Sequence, residues 1–152
     1  MASKVQNATM TVIYRESVKL NNVEYGNRNE TKISGINEVS QRIITVPTVD
    51  TKILVFSASA AAGVFSSTDL KYARLTNLDN TNFVKLTFLS ESSDTAQIDY
   101  NVKLEAGRSI MFSNTSFSGS YGQAWDGFEN VNQIKGKADT AAVDLEIFLA
   151  SS

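Results

Sequence analysis

Alternation between apolar and polar residues constrains this chain more than any other feature of its sequence. Residues 72–78 read YARLTNL and residues 83–89 read FVKLTFL. Apolar side chains at every second position are typical of strands that bury one face. Only the Asx-rich segment 79–82 separates the two runs, and a connection this short usually joins antiparallel neighbours. The pattern therefore predicts a β-hairpin over residues 72–89.

The same texture recurs along most of the chain, without a sustained helical period. Asn21-Asn22 interrupts one candidate strand, as a bulge or turn would, and Gly107 can take the positive φ of a turn in a second predicted hairpin, residues 97–113. About nine strands with regular turn signals predict an all-β fold, an antiparallel β-sandwich or jelly-roll-like single domain. The other candidate strands are residues 9–15, 18–25, 31–36, 39–46, 51–57 and 141–149.

Length and composition fit one globular domain. The chain has 152 residues, of which 42% are hydrophobic, and no apolar stretch approaches the roughly 18 residues of a membrane span. We expect residues 1–8 to form a flexible N-terminal arm and residues 9–152 to form one β-sandwich domain. Residues 1–10 lack the apolar segment of a secretory signal, which predicts synthesis in the cytoplasm or delivery without a Sec signal.

Charge and cysteine content narrow the range of partners. The formal net charge is −2, and Lys and Arg are scattered without a run of three. A strongly basic nucleic-acid footprint is therefore not expected, and neither is a membrane partner. The absence of cysteine removes a disulfide framework and a thiolate metal site.

Catalytic side chains are scarce. The chain has no His, which removes the commonest general base, the Ser-His-Asp triad and imidazole metal ligation. Glycoside hydrolysis needs only two carboxylates, and Asp126 and Glu129 lie close to Trp125. The alternative is that the tryptophan anchors a long loop while the acids keep that loop solvated. We favour this alternative and expect no enzyme, no catalytic residues, no metal and no cofactor.

The segment Asp79-Asn80-Thr81-Asn82 places four oxygen-bearing side chains in a row. Calcium needs several oxygens that converge on one point, but the segment lacks the spaced carboxylates and closing Glu of an EF-hand loop. Asx side chains also form turns by bonding their own backbone. We favour the turn.

Two loops and the N-terminal arm are candidates for contact with a partner. Residues 57–67 (SASAAAGVFSS) are small enough for another backbone to approach, although an ordinary surface loop is the alternative. Residues 114–127 are rich in Ser, Gly and aromatic residues, as adaptable contact surfaces are, with plain loop packing as the alternative. The candidate partner-contact residues are Ala60, Ala61, Gly63, Tyr121, Trp125 and Phe128.

Two turn motifs in the middle of the chain carry a family resemblance. The first, R-x-x-N-L-D-x-T-N, comprises Arg74, Asn77, Leu78, Asp79, Thr81 and Asn82. The second, L-x-A-G-x-S, comprises Leu104, Ala106, Gly107 and Ser109. With the strands around them, they make residues 43–113 resemble small virion structural proteins of tailed bacteriophages, including those of marine phages. The resemblance implies a building block of the virion that is made in the host cytoplasm.

Within that family, the resemblance implies a capsid decoration (cement) protein that binds the major capsid protein or other virion proteins. It also implies a homo-oligomer, with a trimer favoured. A tail-, neck- or fibre-associated protein would have the same fold in fewer copies. Two other classes stay open: a carbohydrate-binding module that uses Trp125 and Tyr121, and a His-free hydrolase that uses Asp126 and Glu129.

Overall fold

The structure, a computed structural model, describes residues 6–57, 61–90, 98–113 and 131–152, and these residues form an all-β fold. They contain no helix that is long and apolar enough to cross a membrane. The strands are β1 (Ala8–Arg15), β2 (Val18–Leu20), β3 (Val23–Tyr25), β4 (Arg28–Ile36), β5 (Glu38–Val46), β6 (Thr51–Ser57), β7 (Phe65–Ser66), β8 (Leu70–Asn77), β9 (Val84–Ser90), β10 (Ile98–Leu104), β11 (Ser109–Ser113), β12 (Gln133–Ala138) and β13 (Val143–Ser151).

Two sheets packed face to face make up the body of the molecule. One has five strands in the order β10-β9-β12-β6-β7, and the other has four in the order β11-β8-β13-β5. Apolar side chains from both sheets form one buried cluster, which includes Leu54 and Phe88 from the first sheet and Leu75 and Leu145 from the second. The predicted antiparallel β-sandwich is therefore confirmed, whereas the jelly-roll topology stays a prediction.

Strand β13 shows how the alternating pattern divides a sheet between the core and the outside. It lies between β5 and β8. Its alternate residues Leu145 and Ile147 are 0% exposed. Glu146 between them lies on the outer face, where it forms an ion pair with Arg74 of β8. Successive residues within the candidate strand 141–149 thus lie on opposite faces of the sheet, as an alternating pattern requires.

The predicted hairpin over residues 72–89 is wrong. Strand β8 pairs with β11 and β13 in the four-stranded sheet, while β9 pairs with β10 and β12 in the five-stranded sheet. The connection between them therefore crosses the sandwich as an arch. The hairpin predicted over residues 97–113 is wrong for the same reason, since β10 and β11 lie in opposite sheets. Alternation shows that a strand has one buried side, but it does not name the neighbouring strand.

A buried asparagine joins the arch between β8 and β9 to the second arch, which connects β10 and β11. Asn77 is 0% exposed, and its Nδ2 donates to the carbonyl oxygens of Asn82 at 2.9 Å and Leu104 at 3.1 Å. Its Oδ1 accepts from the Asp79 amide at 2.9 Å. Its own backbone amide donates to the Arg108 carbonyl at 2.9 Å. Because buried polar groups need partners, this asparagine of the first turn motif has a clear structural role.

Strand β12 is a central strand that the sequence pattern did not reveal. It lies between β9 and β6, and its inward positions include the small residues Gly136 and Ala138. Small inward residues and outward lysines weaken the apolar signal. At Gly136 the missing side chain matters for packing, because an added Cβ would lie 3.1 Å from Val46 Cγ1 and 3.3 Å from Ile53 Cγ2.

The N-terminal strands form one long ribbon. Strand β1 pairs with β4 and β2 pairs with β3, both antiparallel and in the same register, so that Arg15 faces Arg28 and Val18 faces Tyr25. At the tip, Asn21 and Asn22 have φ values of 49° and 64°. A two-residue type I′ turn requires positive φ at both central positions. Of the two alternatives predicted for this pair, the turn is correct.

The base of the ribbon packs on the outer face of the four-stranded sheet. The Tyr72 and Phe148 rings of that face meet edge to face, with centroids 5.8 Å apart. In contrast, every residue from 13 to 28 is exposed. The ribbon is therefore anchored at one end only. The anchoring cluster consists of Met10, Val12, Ile33, Ile36, Tyr72, Phe148 and Ala150.

Candidate functional site

Most of the partner-contact residues predicted from the sequence lie outside the described part of the chain. Residues 1–5 of the predicted N-terminal arm lie outside it as well, whereas Ala8 begins β1 and pairs with Ile36. The roles predicted for residues outside the described part stay predictions. These residues are Ala60, Tyr121, Trp125 and Phe128, together with the candidate carboxylates Asp126 and Glu129.

Ala61 and Gly63 lie in an exposed tight turn between β6 and β7. The Ala61 amide donates to the Val64 carbonyl at 3.1 Å, and the Val64 amide donates to the Ala61 carbonyl at 2.9 Å. Gly63 has a φ of 76°, which a residue with a Cβ adopts at a cost. The turn itself thus explains the glycine, and the predicted contact role of both residues stays a prediction.

The Asx-rich segment is a turn held by its own backbone. One carboxylate oxygen of Asp79 accepts from the amides of Thr81 and Asn82, each at 2.6 Å. These bonds, the one from the Asn82 amide first, lower the pKa of Asp79 below its ordinary value of 3.8. The residues that the structure describes contain no group of three or more His, Cys, Asp or Glu placed to hold a metal ion. The observed bonds agree with the turn interpretation.

Lysines gather on the outer face of the five-stranded sheet. Lys103 of β10 lies directly opposite Lys85 of β9, which lies directly opposite Lys137 of β12. One row further along, Lys135 of β12 lies opposite Lys52 of β6. Residues directly opposite one another in antiparallel strands share a face. The five side chains therefore form one surface across four strands, which we call the lysine face.

The lysine face carries a small excess of positive charge, because its five lysines lie among four carboxylates: Asp50, Asp99, Glu105 and Asp139. Lys85 pairs with Asp50 at 3.1 Å, and Lys103 pairs with Glu105 at 2.7 Å. Like charges directly opposite one another destabilise a sheet. The cost of each such pair is of the same order as the roughly 0.2–1 kcal/mol that a favourable pair contributes. Within the described chain, no ion pair at 4.0 Å or less is formed by Lys52, Lys135 or Lys137.

The surface between the lysines is polar and open. Thr87 Oγ1 donates to Asn101 Oδ1 at 2.7 Å, and Asp99 lies beside them in the same shallow depression. A surface of this shape does not enclose a small molecule. It can, however, face the carboxylates of a large acidic partner over several strands, since each lysine contributes one weak charge pair.

Two weak features of the sequence indicate this face. Lys135 and Lys137 occur at alternate positions, and Lys85 occupies a polar position of an alternating run. The net charge of −2, which argues against a strongly basic nucleic-acid footprint, does not show how charge is distributed over the surface. Only the strand register brings the lysines together.

No family model, curated protein sequence or solved structure matches this chain. Its function therefore has to be inferred from the surfaces that its own residues build. In the described part of the chain, the lysine face and the exposed end of the ribbon are two of the surfaces that its internal packing leaves unexplained.

Proposed function

We propose that this chain is a structural protein of a tailed-bacteriophage virion, specifically a capsid decoration protein that binds the assembled shell of major capsid protein. The resemblance of residues 43–113 to small virion structural proteins supports the phage assignment. Both turn motifs that carry the resemblance lie at the arches of the sandwich, where Asn77 is buried and Gly107 has a φ of 67°. The resemblance thus rests on residues that build the body of the fold.

The lysine face is the observation that carries the binding role. Its opposed like charges weaken the sheet, and an acidic partner surface laid over them would replace repulsion with attraction. Charge complementarity of this kind favours a chosen partner and speeds association. A wide, open face fits a large partner better than a small substrate, and a capsid shell is such a partner.

Copy number tests the decoration assignment. Quantitative mass spectrometry of purified particles of the phage that encodes this chain would give its ratio to the major capsid protein. Hundreds of copies in each particle would support decoration of the shell. Tens of copies or fewer would overturn decoration in favour of the tail or neck. Complete absence would overturn the virion assignment and favour the carbohydrate-binding alternative.

Charge reversal tests the lysine face directly. We expect Lys52→Glu/Lys137→Glu to abolish co-sedimentation with capsids that lack this protein, because two exposed attractions become repulsions. The matched control is Lys19→Glu/Lys32→Glu, which changes the net charge equally on the ribbon. Wild-type binding should also weaken as salt is added. Equal loss in both variants, or unchanged binding by the lysine-face variant, would contradict docking through this face.

A further inference from the structure

The ribbon has one apolar side and one polar side. Cross-strand partners share a side, and alternate residues along a strand share a side, so the register fixes both sets. The polar side carries Arg15, Lys19, Glu24, Arg28, Glu30 and Lys32, with Ile13 as its one large apolar residue. The apolar side carries Met10, Val12, Tyr14, Val18, Leu20, Val23, Tyr25 and Ile33, and the polar residues Glu16, Asn27, Asn29 and Thr31 lie between them.

The two ends of the apolar side have different surroundings. At the base, Val12 is 8% exposed and Ile33 is 3% exposed, because both pack on the four-stranded sheet. At the tip, Leu20 is 61% exposed and Tyr25 is 55% exposed. The tip comprises residues 15–28 and extends about 20 Å beyond Tyr14 at the usual rise of a strand. A two-stranded hairpin without a covered apolar side is marginally stable in water.

The sheet face that receives the base of the ribbon continues beyond it. Val39 is 57% exposed and Ile43 is 61% exposed on β5, the edge strand of that sheet. Val39 is the Cα partner of Ala150, which belongs to the anchoring cluster. Twelve large apolar side chains are exposed among the described residues, and eight of them lie on the ribbon's apolar side or on this face. They are Tyr14, Val18, Leu20, Val23 and Tyr25 on the ribbon, and Val39, Ile43 and Met111 on the face. Exposed apolar surface is thus concentrated in two places.

We propose that the ribbon tip of one copy docks on the outer face of the four-stranded sheet of a second copy, over Val39 and Ile43. The base of the ribbon already packs on this face within one chain, and Val39 and Ile43 continue the face on β5, where Ile43 lies opposite Glu146, the ion-pair partner of Arg74. In the proposed contact, the tip extends the apolar side of the ribbon beyond its own base, and the second copy provides Val39 and Ile43 of the corresponding sheet face. The tip carries little net charge to select a charged partner: Arg15, Lys19 and Arg28 lie against Glu16 and Glu24, and Arg28 pairs with Glu30 at 3.1 Å.

The proposed contact joins two different surfaces, so it is heterologous. Contacts of this kind give a ring when the rotation between copies closes and a filament when it does not. Self-association through the ribbon does not require capsid binding through the lysine face, because the two surfaces lie on different sheets. Each can therefore fail while the other holds.

Two pairs of opposed residues at the tip provide a matched test. Leu20 faces Val23 on the apolar side, and Lys19 faces Glu24 on the polar side. We expect Leu20→Thr/Val23→Thr to weaken self-association by about tenfold or more. Lys19→Thr/Glu24→Thr keeps the net charge and should associate as the wild type does. Sedimentation velocity from about 1 to 100 µM measures association, and thermal unfolding by circular dichroism verifies folding.

The receiving face provides the reciprocal variant. Val39→Thr/Ile43→Thr should also shift the assembly toward the 16.6 kDa monomer. A wild type that stays monomeric over the whole concentration range would overturn the proposal. Equal dissociation of the apolar-side and polar-side variants would overturn it too, since the effect would then not depend on the apolar side.

Cross-linking locates the contact even if a threonine variant folds poorly. The chain has no cysteine, so single cysteines can be introduced without side reactions. A bismaleimide should join Leu20→Cys protomers to Ile43→Cys protomers when the two are mixed, by alkylating one thiol of each. Joining of Leu20→Cys protomers only to one another would show that ribbon meets ribbon, and would overturn the proposed receiving face.

Discussion

The sandwich body and the ribbon tip are built from the same alternating pattern, yet they differ in what covers their apolar side. Leu145 in β13 is 0% exposed, whereas Leu20 in the ribbon is 61% exposed. A second sheet covers the body. Within the part of the chain that the structure describes, the tip has no such cover. Alternation specifies the two sides of a strand, but a second surface decides whether the apolar side is buried.

This difference separates stability from association. Full burial of a large apolar side chain contributes about 1.5–3 kcal/mol. The body gains this contribution when the chain folds, whereas the tip can gain it only when another surface arrives. Substitutions in the body should therefore change the free energy of unfolding, and substitutions at the tip should change assembly.

The largest effect is expected in the core. Phe88 is 1% exposed and meets Phe112 edge to face with ring centroids 5.7 Å apart. Phe88→Ala should lower the free energy of unfolding by about 3–5 kcal/mol, through lost burial and the cavity left behind. Denaturant unfolding measures it. The control, Leu20→Ala in the monomer, should change it by less than about 0.5 kcal/mol; similar losses at both sites would remove the distinction between body and tip.

The next largest effect is expected where the arches meet. Asn77→Ala leaves the Asn82 and Leu104 carbonyls and the Asp79 amide without their side-chain partner. Because these buried polar groups would lack hydrogen-bond partners, the free energy of unfolding should fall by about 2–3 kcal/mol. Denaturant unfolding again measures the change. The exposed Asn80→Ala in the same turn should be nearly neutral, and equal losses would show that Asn77 has no special role.

Tight packing at Gly136 should give a smaller loss. Its added Cβ would lie 3.1 Å from Val46 Cγ1, so Gly136→Ala should destabilise the body by about 1–2 kcal/mol. The double variant Val46→Ala/Gly136→Ala lacks the contacted methyl group. Its loss of unfolding free energy should therefore be smaller than the sum of the losses in the two single variants. Strict additivity in this double-mutant cycle would show that the contact is not the cause.

The matched change in the ribbon is Gly26→Ala. Gly26 has a φ of 134°, and an added Cβ would fall on the Glu16 carbonyl. Strain here should open the pairing of the ribbon without loosening the sandwich, because residues 13–28 are all exposed. Amide hydrogen exchange should become faster in β2 and β3 and stay unchanged in β13. Faster exchange in β13 would instead couple the ribbon to the body.

The smallest effect is expected from the Asp79 carboxylate. Folding lowers its pKa below 3.8, chiefly through the bond from the Asn82 amide. The folded state therefore holds its proton less tightly than the unfolded state, and the contribution to stability is complete above pH 3.8 and is lost as the pH falls through the folded pKa. Asp79→Asn should flatten the stability profile at acid pH; an unchanged slope would assign the loss to other carboxyl groups.

Several elements were predictable because their signal is local. The predicted strand over residues 51–57 matches β6 at both ends, and the inward side of β13 follows from its alternation. The candidate site was far less predictable. The lysine face joins side chains that are distant in sequence, and Ala61 and Gly63 turned out to form a tight exposed turn.

By itself, the sequence determined that this chain forms strands and which side of many strands is apolar, because a period of two is a property of neighbouring residues. The pairing of the strands, in contrast, is set by the tertiary fold. Strands β8 and β9 lie in opposite sheets, and β12, which carries Lys135 and Lys137, is the central strand of the five-stranded sheet. Pairing depends on how distant segments fill one common core, and no local pattern contains that information.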